Sequence, residues 1–201
     1  MRWNAYTQGG LAILSDDPAP AIGKLVQGGI MKIALVLITL FFTPLLLGNE
    51  IEIPNSSISF TAPEGFKPFS KEIIEAKWPA RRAPEWVIGS ESTSTSIAFG
   101  LRPNDISNTP LEKLRDYLKQ TMSRIGPGVD WLRAEVININ GKDWVYLEFT
   151  SNAINADIHN IILASSHRDK MAMFNFNSTK EEFSKYEDAL KESIESIVFR
   201  G

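Results

Sequence analysis

Cysteine is absent from the 201-residue chain, and this excludes a disulfide framework, a thiolate zinc site and a cysteine nucleophile. An excess of basic residues is also absent, because 21 lysines and arginines stand against 24 aspartates and glutamates, giving a formal net charge of −3. A general nucleic-acid binder needs clustered Lys and Arg. The composition therefore argues against nucleic acid as a partner, while 43% hydrophobic residues are enough to bury one sizeable core.

Sequence signatures of catalysis and metal binding are missing too. There is no GxSxG elbow, no HExxH pair and no EF-hand spacing, and 126–128 (GPG) is typical of a helix stop rather than a phosphate loop. The two histidines, His159 and His167, should lie at opposite ends of one hairpin, too far apart to share an ion. They are expected to be ordinary surface residues. The sequence therefore predicts no catalytic, cofactor-binding or metal-binding residue.

A continuous apolar stretch of fifteen residues, 33–47, follows Met31-Lys32. This length suits a signal-peptide core of about 7–15 residues better than a membrane span of about 20. We therefore predict a secretory signal over 31–48, cleaved near Gly48-Asn49, with an uncleaved anchor as the alternative. Because a signal belongs at an N-terminus, residues 1–30 are expected to be an over-extended start, or else a disordered leader.

The remaining residues, 49–201, are predicted to form one domain around a hairpin at 131–151. Two alternating runs meet at Asn140-Gly141, a dipeptide that readily takes the positive φ angles of a type I′ turn. A two-residue loop fixes the register, so Ile137 should face Trp144. Ile139 should likewise face Lys142, and Arg133 should face Glu148.

The two faces of this hairpin differ in character. The face expected to lie against the core carries Leu132, Ala134, Val136, Val145, Leu147 and Phe149. The opposite face is mixed, since it sets Ile137, Trp144 and Tyr146 among charged side chains. A helix is expected to cover this mixed face, because a two-stranded ribbon alone is marginally stable in water.

Other strands are predicted from shorter alternating or apolar runs bounded by turn residues. They cover 56–62, 85–89, 93–101, 158–165 and 171–177. Nearly every strand is joined to the next by a short turn, so the sheet should be mostly antiparallel. No internal repeat and no linker interrupts the pattern, which favours a single domain.

Three helices are predicted from capping residues and apolar periodicity. Ser70 should cap a short helix that stops at Pro79, Thr109 should cap a long helix through a capping box with Glu112, and Ser178 should open the last helix. The apolar stripe of the long helix is Leu111, Leu114, Leu118, Met122 and Ile125. That of the last helix is Phe183, Tyr186, Leu190, Ile194 and Ile197. Each long helix should lie on one face of the sheet, giving an α+β sandwich.

This element order resembles that of the PsbP-like superfamily. The resemblance is carried by 58–70 (ISFTAPEGFKPFS), the hairpin segment 139–149 (INGKDWVYLEF) and a terminal helix ending at 193–199 (SIESIVF). The superfamily includes the extrinsic subunit of photosystem II, a Ran-binding nuclear-transport factor and bacterial envelope proteins of the DcrB type. The resemblance implies an antiparallel sheet sandwiched by helices and a role in binding or assisting other proteins. It transfers no functional residue by position.

The loop from 78 to 86 is the candidate protein-binding site predicted from the sequence. Trp78, Arg81, Arg82 and Trp86 are of the residue types enriched at interface hot spots. The prolines of the loop would reduce the ordering cost of binding. The alternative is that the two tryptophans fold inward and cap the core, while the arginines are merely solvated.

Three functional hypotheses follow for the chain. The first is an exported, non-enzymatic binding or accessory domain acting on a protein complex in the periplasm or at the membrane surface. The second is a small-ligand or lipid carrier with a pocket between sheet and helix, lined by adaptable methionines at Met122, Met171 and Met173. The third is an envelope hydrolase, since paired carboxylates are arranged in space rather than in sequence.

Overall fold

A computed structural model describes residues 49–78, 83–153 and 156–200 of the chain. The predictions made for residues 1–48, namely the over-extended start and the signal segment, lie outside these ranges. No helix within them combines the length and the apolar content that a bilayer crossing requires.

The described ranges contain three helices and ten strands, several of them very short. In chain order they are β1 (Glu50–Ile53), β2 (Ile58–Thr61), β3 (Lys67–Pro68), α1 (Lys71–Lys77), β4 (Trp86–Gly89), β5 (Thr95–Arg102), α2 (Leu111–Ile125), β6 (Asp130–Ile139), β7 (Lys142–Asn152), β8 (Asp157–His167), β9 (Lys170–Thr179), α3 (Lys180–Glu195) and β10 (Val198–Phe199). The strands β1, β3 and β10 were not predicted from the sequence, because runs of two to four residues carry too little alternation to stand out.

The strands form two sheets. Seven of them lie in the order β3-β4-β5-β9-β8-β7-β6, and β1-β2-β10 form a small second sheet. Every neighbouring pair is antiparallel. The described part of the chain is thus a single α+β domain with an antiparallel sheet, as the sequence predicts.

The central hairpin of β6 and β7 forms in the predicted register. Asn140 and Gly141 have φ angles of 48° and 81°, which is the geometry of a type I′ turn. Ile139 pairs with Lys142, Ile137 with Trp144, and Arg133 with Glu148. The local turn chemistry therefore sets which side chains share a face over the whole hairpin.

The prediction that Leu132 lies on the core face of the hairpin is wrong, because a β-bulge shifts the register there. The register shifts between Trp131 and Arg133, so that Trp131 rather than Leu132 lies opposite Phe149. The Trp131 ring packs against Phe149 with centroids 4.8 Å apart, while Leu132 is 55% exposed. A bulge adds one residue to one strand and redirects the residues before it.

The large sheet separates two apolar clusters, each covered by one long helix. The cluster on the α3 side includes Trp144, Tyr146, Phe174, Leu190 and Ile194. The cluster on the α2 side includes Leu114, Leu118, Val145, Leu147 and Phe149. The mixed face of the hairpin is thus covered by a helix, as predicted, because Trp144 is fully buried on that side.

The helix boundaries correct several predictions. Helix α2 has Pro110 at its N-cap and no side-chain capping bond, so the capping box of Thr109 with Glu112 does not form. Helix α3 is capped by Thr179, whose hydroxyl accepts a hydrogen bond from the backbone of Glu182. The predicted cap, Ser178, is instead buried and bonded to Thr95. A strand residue in a buried pair is not free to cap the helix that follows.

The buried apolar stripe of each long helix also ends earlier than predicted. Ile125, the last residue of the α2 stripe, is exposed. Helix α3 ends at Glu195, and Val198–Phe199 pair with β2 instead of continuing the helix to 199. Ile197 is buried in the core cluster although it lies beyond the helix.

The two threonines at these helix starts give a direct test of the capping assignment. We expect Thr179→Ala to lower the free energy of unfolding by about 1 kcal/mol, because it removes the hydroxyl that caps α3. Thr109→Ala should change it by less than about 0.5 kcal/mol, because Thr109 makes no capping bond. Urea unfolding of the two variants measures both values. Equal losses would contradict the assignment.

Candidate functional site

A groove of about 520 Å³ opens between the hairpin and the C-terminal half of α3, and we call it the β6–α3 groove. Its lining includes Arg133, Ile137, Tyr146 and Glu148 from the hairpin, and Lys191 and Ile194 from α3. Strand alternation places the four hairpin residues on the face that α3 covers. The groove therefore combines an apolar floor with charged groups of both signs.

Glu148 is the centre of a hydrogen-bonded cluster at this groove. Its side chain is only 15% exposed. The Tyr146 hydroxyl donates to Oε2 at 3.0 Å, and Nε2 of His159 lies 2.7 Å from Oε1. The hydrogen bond from His159 holds the pKa of Glu148 below its ordinary value, aided by the bond from Tyr146 and opposed by burial. Glu148 is thus an ionised carboxylate that accepts two hydrogen bonds.

Tyr146 is held as a hydrogen-bond donor by its surroundings. Burial raises the pKa of its hydroxyl strongly, and the nearby charge of Glu148 raises it further. The guanidinium of Arg133 lies 4.6 Å from the centre of the Tyr146 ring, within the range of a cation–π contact. The ring therefore forms a fixed support beneath Arg133 at the groove mouth.

The expectation that His159 is an ordinary surface histidine is wrong. It is 8% exposed, and its ring stacks on Phe183 of α3 with centroids 3.5 Å apart and planes 9° from parallel. The sequence did contain a signal for this burial. His159 alternates with Ile161 and Leu163, both of which lie in the α3-side cluster, so a side chain two residues before them falls on the same face.

The cations that line the groove are already paired with carboxylates. Arg133 forms an ion pair with Glu135, two residues along the same strand. Lys191 forms one with Glu187, one turn earlier in α3, at 2.5 Å. Glu195 adds a further carboxylate to the lining. Within the described ranges, Glu195 is thus the charged lining residue that has no ion-pair partner.

The groove is closed at one end by the tip of the hairpin. The side-chain amide of Asn140 donates to the backbone carbonyls of Glu195 and Ile197, at 2.8 and 3.0 Å. The carbonyl of Glu195 lies in the last turn of α3, where helical carbonyls lack intrahelical partners, and that of Ile197 lies just beyond it. The turn residue thus fixes the hairpin to α3, and the groove between them has a defined width.

The chemistry of this arrangement is suited to binding. Both carboxylate oxygens of Glu148 accept hydrogen bonds, so the group orients Tyr146 and His159. Among the described residues, no cluster of three or more His, Asp or Glu side chains is arranged to hold a metal ion. What the groove offers a partner is charge, amide groups and the apolar surface of Ile137 and Ile194.

Trp86, the last residue of the binding loop predicted from the sequence, lies toward the edge of the large sheet opposite β6. Trp86 is in β4, next to the edge strand β3, whereas β6 forms the opposite edge. Trp86 is partly buried and meets Phe60 edge-on, with ring centroids 5.9 Å apart. Trp78 is half-buried at the C-cap of α1. Arg81 and Arg82 lie outside the described residues, so this loop stays a prediction.

The methionines proposed as a carrier lining are not at the groove. Met171 is buried in the α2-side cluster, and Met122 and Met173 pack against that cluster. They lie on the face of the sheet opposite α3. The groove was not predicted from the sequence, although the pairing of Arg133 with Glu148 placed two of its charged residues together.

Comparisons with known proteins identify the fold. No family model matches the sequence, and no curated protein matches it significantly. Among solved structures, the cyanobacterial PsbP of Synechocystis is similar with a TM-score of 0.54 and 12% identity, over 75% of this chain and 91% of that chain. A Bacteroides thetaiotaomicron structure is similar with a TM-score of 0.51 and 13% identity, over 78% of this chain and 50% of that one.

The Ran-binding protein Mog1p of Saccharomyces cerevisiae gives a TM-score of 0.49 at 12% identity, over 75% of this chain and 94% of that chain. At such identities the similarity concerns the fold alone. The chain and the Synechocystis structure share an antiparallel sheet with a helix on each face. The chain has a PsbP-like fold.

Proposed function

We propose that the chain is an exported, non-enzymatic binding or accessory domain that acts on a protein complex in the periplasm or at the membrane surface. The observation that carries this proposal is the β6–α3 groove. It is open to solvent, its width is fixed by Asn140, and its charged groups are oriented by the cluster around Glu148. A rigid surface of this kind lowers the ordering cost of binding a protein.

The export part of the proposal rests on the sequence. Residues 33–47 have the length of a signal-peptide core and follow a single lysine. The absence of cysteine is compatible with an oxidising compartment, where a free thiol would be reactive. The PsbP-like fold supports a binding role only by analogy, because proteins of one fold can have different functions.

A small-ligand carrier is the second candidate, and the groove volume favours it. About 520 Å³ lies within the range of small-molecule sites, which is about 300–1,000 Å³. A carrier should hold its cargo through purification. Mass spectrometry of the protein under native conditions would then show a bound small molecule that disappears on unfolding, and a mass equal to that of the chain alone would count against this candidate.

Site-specific photocrosslinking tests the proposed function and compares its two candidate surfaces. The C-terminally tagged chain is expressed in cells with a photoreactive amino acid at Lys191 in the groove, at Arg82 in the loop, or at Tyr117 of α2, which is 62% exposed. We expect a discrete protein adduct in the envelope fraction from position 191 and none from 117. An adduct from 82 alone keeps the function and moves its site to the loop. If neither position 191 nor position 82 gives an adduct, the binding role is contradicted.

A further inference from the structure

Strand β6 forms an open edge of the large sheet. In the type I′ hairpin, Ile139 and Lys142 exchange backbone hydrogen bonds, and in an antiparallel pair every second residue does so. Ala134, Val136 and Asn138 therefore direct their N–H and C=O groups away from β7. Within the described ranges, no backbone group outside β7 bonds to β6. Within the part of the chain that the structure describes, three residues of this edge thus have backbone donors and acceptors with no backbone partner.

The two edges of the sheet differ in how they are protected. Strand β3 has two residues, one of which is Pro68, and short edges with proline resist pairing with another chain. The bulge at Leu132 protects only the start of β6. The seven residues of 133–139 continue without a bulge and without proline. Edge strand β3 is therefore protected by its length and its proline, whereas β6 from residue 133 onward has only the charged side chains of Arg133 and Glu135 as protection.

The β6–α3 groove lies beside this open edge. A strand added to β6 would point every second side chain toward α3, over the apolar surface of Ile137 and Ile194. The lining of the groove holds two cations, Arg133 and Lys191, and two carboxylates, Glu148 and Glu195. Both cations already form ion pairs with carboxylates beside the groove. Within the described ranges Glu195 has no ion-pair partner, so a basic side chain on the added strand would complement its charge.

We propose that β6 binds an extended segment of a partner protein by strand addition, and that a lysine or arginine of this segment enters the β6–α3 groove. The proposal deepens the proposed function, on which it rests. Backbone groups of Ala134, Val136 and Asn138 supply the affinity, and the carboxylate of Glu195 in the groove supplies the specificity for a basic residue. Apolar side chains beside the basic one contact Ile137 and Ile194.

A second copy of this chain fits the edge less well than a basic partner. Antiparallel pairing of two β6 strands would place both α3 helices on the same side of the joined sheet. Helix α3 carries six acidic residues and three lysines, so the two helices would repel each other. The charge of α3 thus selects against self-association and for an oppositely charged segment.

Synthetic peptides test this mode of binding with the purified protein, whose N-terminus is assigned by intact mass. The probe is a ten-residue peptide of alternating valine and threonine with a central lysine. One twin has glutamate at that position, and another has alternate backbone amides methylated. We expect the lysine peptide to bind about tenfold more tightly than the glutamate twin. It should slow amide exchange at Ala134, Val136 and Asn138, and the methylated twin should not bind.

Several results would overturn the proposal. No binding of the lysine peptide overturns strand addition, as does binding that leaves the three amides of β6 unprotected. Equal affinity of the lysine and glutamate peptides overturns the proposed specificity for a basic residue. A concentration-dependent dimer in sedimentation, with the β6 amides protected in the absence of peptide, would identify a second copy as the occupant instead.

A pair of variants at Val136 separates this inference from the proposed function. Val136→Pro removes an outward N–H from the edge, where proline is tolerated, while Val136→Thr keeps the N–H and the branched side chain. We expect at least a tenfold loss of peptide affinity in the first and little change in the second. If the Lys191 crosslink persists in a folded Val136→Pro chain, the binding function stands and strand addition fails. If Val136→Pro does not fold, the methylated peptide tests strand addition instead, because its binding to the wild-type protein would contradict backbone pairing with β6.

Discussion

Replacing Phe174 by alanine is expected to lower the free energy of unfolding by about 3–5 kcal/mol. The side chain is fully buried in β9 at the centre of the α3-side cluster. Its ring lies 4.9 to 6.0 Å, between centroids, from the rings of Phe60, Phe99, Trp144 and Phe176. The variant loses both the transfer free energy of the ring and its contacts with four aromatic neighbours, which belong to four different strands and cannot all move inward.

Chemical unfolding monitored by circular dichroism measures this loss. Phe174→Leu is the matched variant, because leucine fills much of the same space and should cost about half as much as alanine. Tyr117→Ala controls for a general effect of removing an aromatic side chain, since Tyr117 is exposed on α2. A loss below about 1 kcal/mol for Phe174→Ala would mean that the cluster is not packed as described.

Removing the carboxylate of Glu148 should have the second largest effect. We expect Glu148→Ala to lower the free energy of unfolding by about 2–3 kcal/mol at pH 7, because it leaves the Tyr146 hydroxyl and His159 Nε2 without their acceptor at a largely buried site. Glu135→Ala is the control. Its ion pair with Arg133 is about half exposed, so its loss should cost less than about 1 kcal/mol.

The pH dependence of this loss follows from the pKa of Glu148. The folded protein holds that pKa below its ordinary value, so the ionised group stabilises the fold above the unfolded pKa of about 4.3. This stabilisation disappears as the pH falls through the lower, folded-state pKa. The difference between the wild-type protein and Glu148→Ala should therefore be constant above about pH 5 and shrink below about pH 4. A difference that stays the same down to pH 3 would contradict an ionised Glu148.

The features predicted correctly from the sequence depend on local chemistry. Asn140-Gly141 determines a two-residue turn, the turn determines the register, and the register determines which of 133–139 share a face with 142–148. The periods of α2 and α3 likewise indicate which stripe is buried. These inferences hold because each uses residues that are neighbours in sequence, and the fold class follows from their order.

The errors arose where a distant contact competes with a local preference. Ser178 has the sequence of a helix cap, but its hydroxyl bonds to Thr95 of another strand. The apolar residues at 198–199 continue the periodicity of α3, yet they pair with β2. Leu132 continues an alternation that the bulge interrupts. In each case the deciding partner is far away in sequence, so no local pattern could indicate it.

The groove was missed for the same reason. Its residues come from β6, β7 and α3, and the most distant of them, Arg133 and Glu195, are 62 positions apart in the chain. The sequence placed Arg133 opposite Glu148, and that pairing exists, but Glu148 bonds to Tyr146 and His159 instead. Which of several nearby donors satisfies a carboxylate depends on depth and side-chain direction, and neither is visible in the order of residues.

The small sheet formed by β1, β2 and β10 has a consequence for engineering the domain. It brings Glu50 and Arg200 into an ion pair, and the backbone of Arg200 donates to Ser57 at 2.7 Å. The backbone of residue 50 lies beside Thr61 and that of residue 200 beside Ser57, at the two ends of β2. A linker that joins 200 to 50 for circular permutation should therefore contain about six residues, enough to cross β2, with new termini opened in a surface turn. A linker of only about two or three residues would instead pull β1 and β10 out of their pairing with β2.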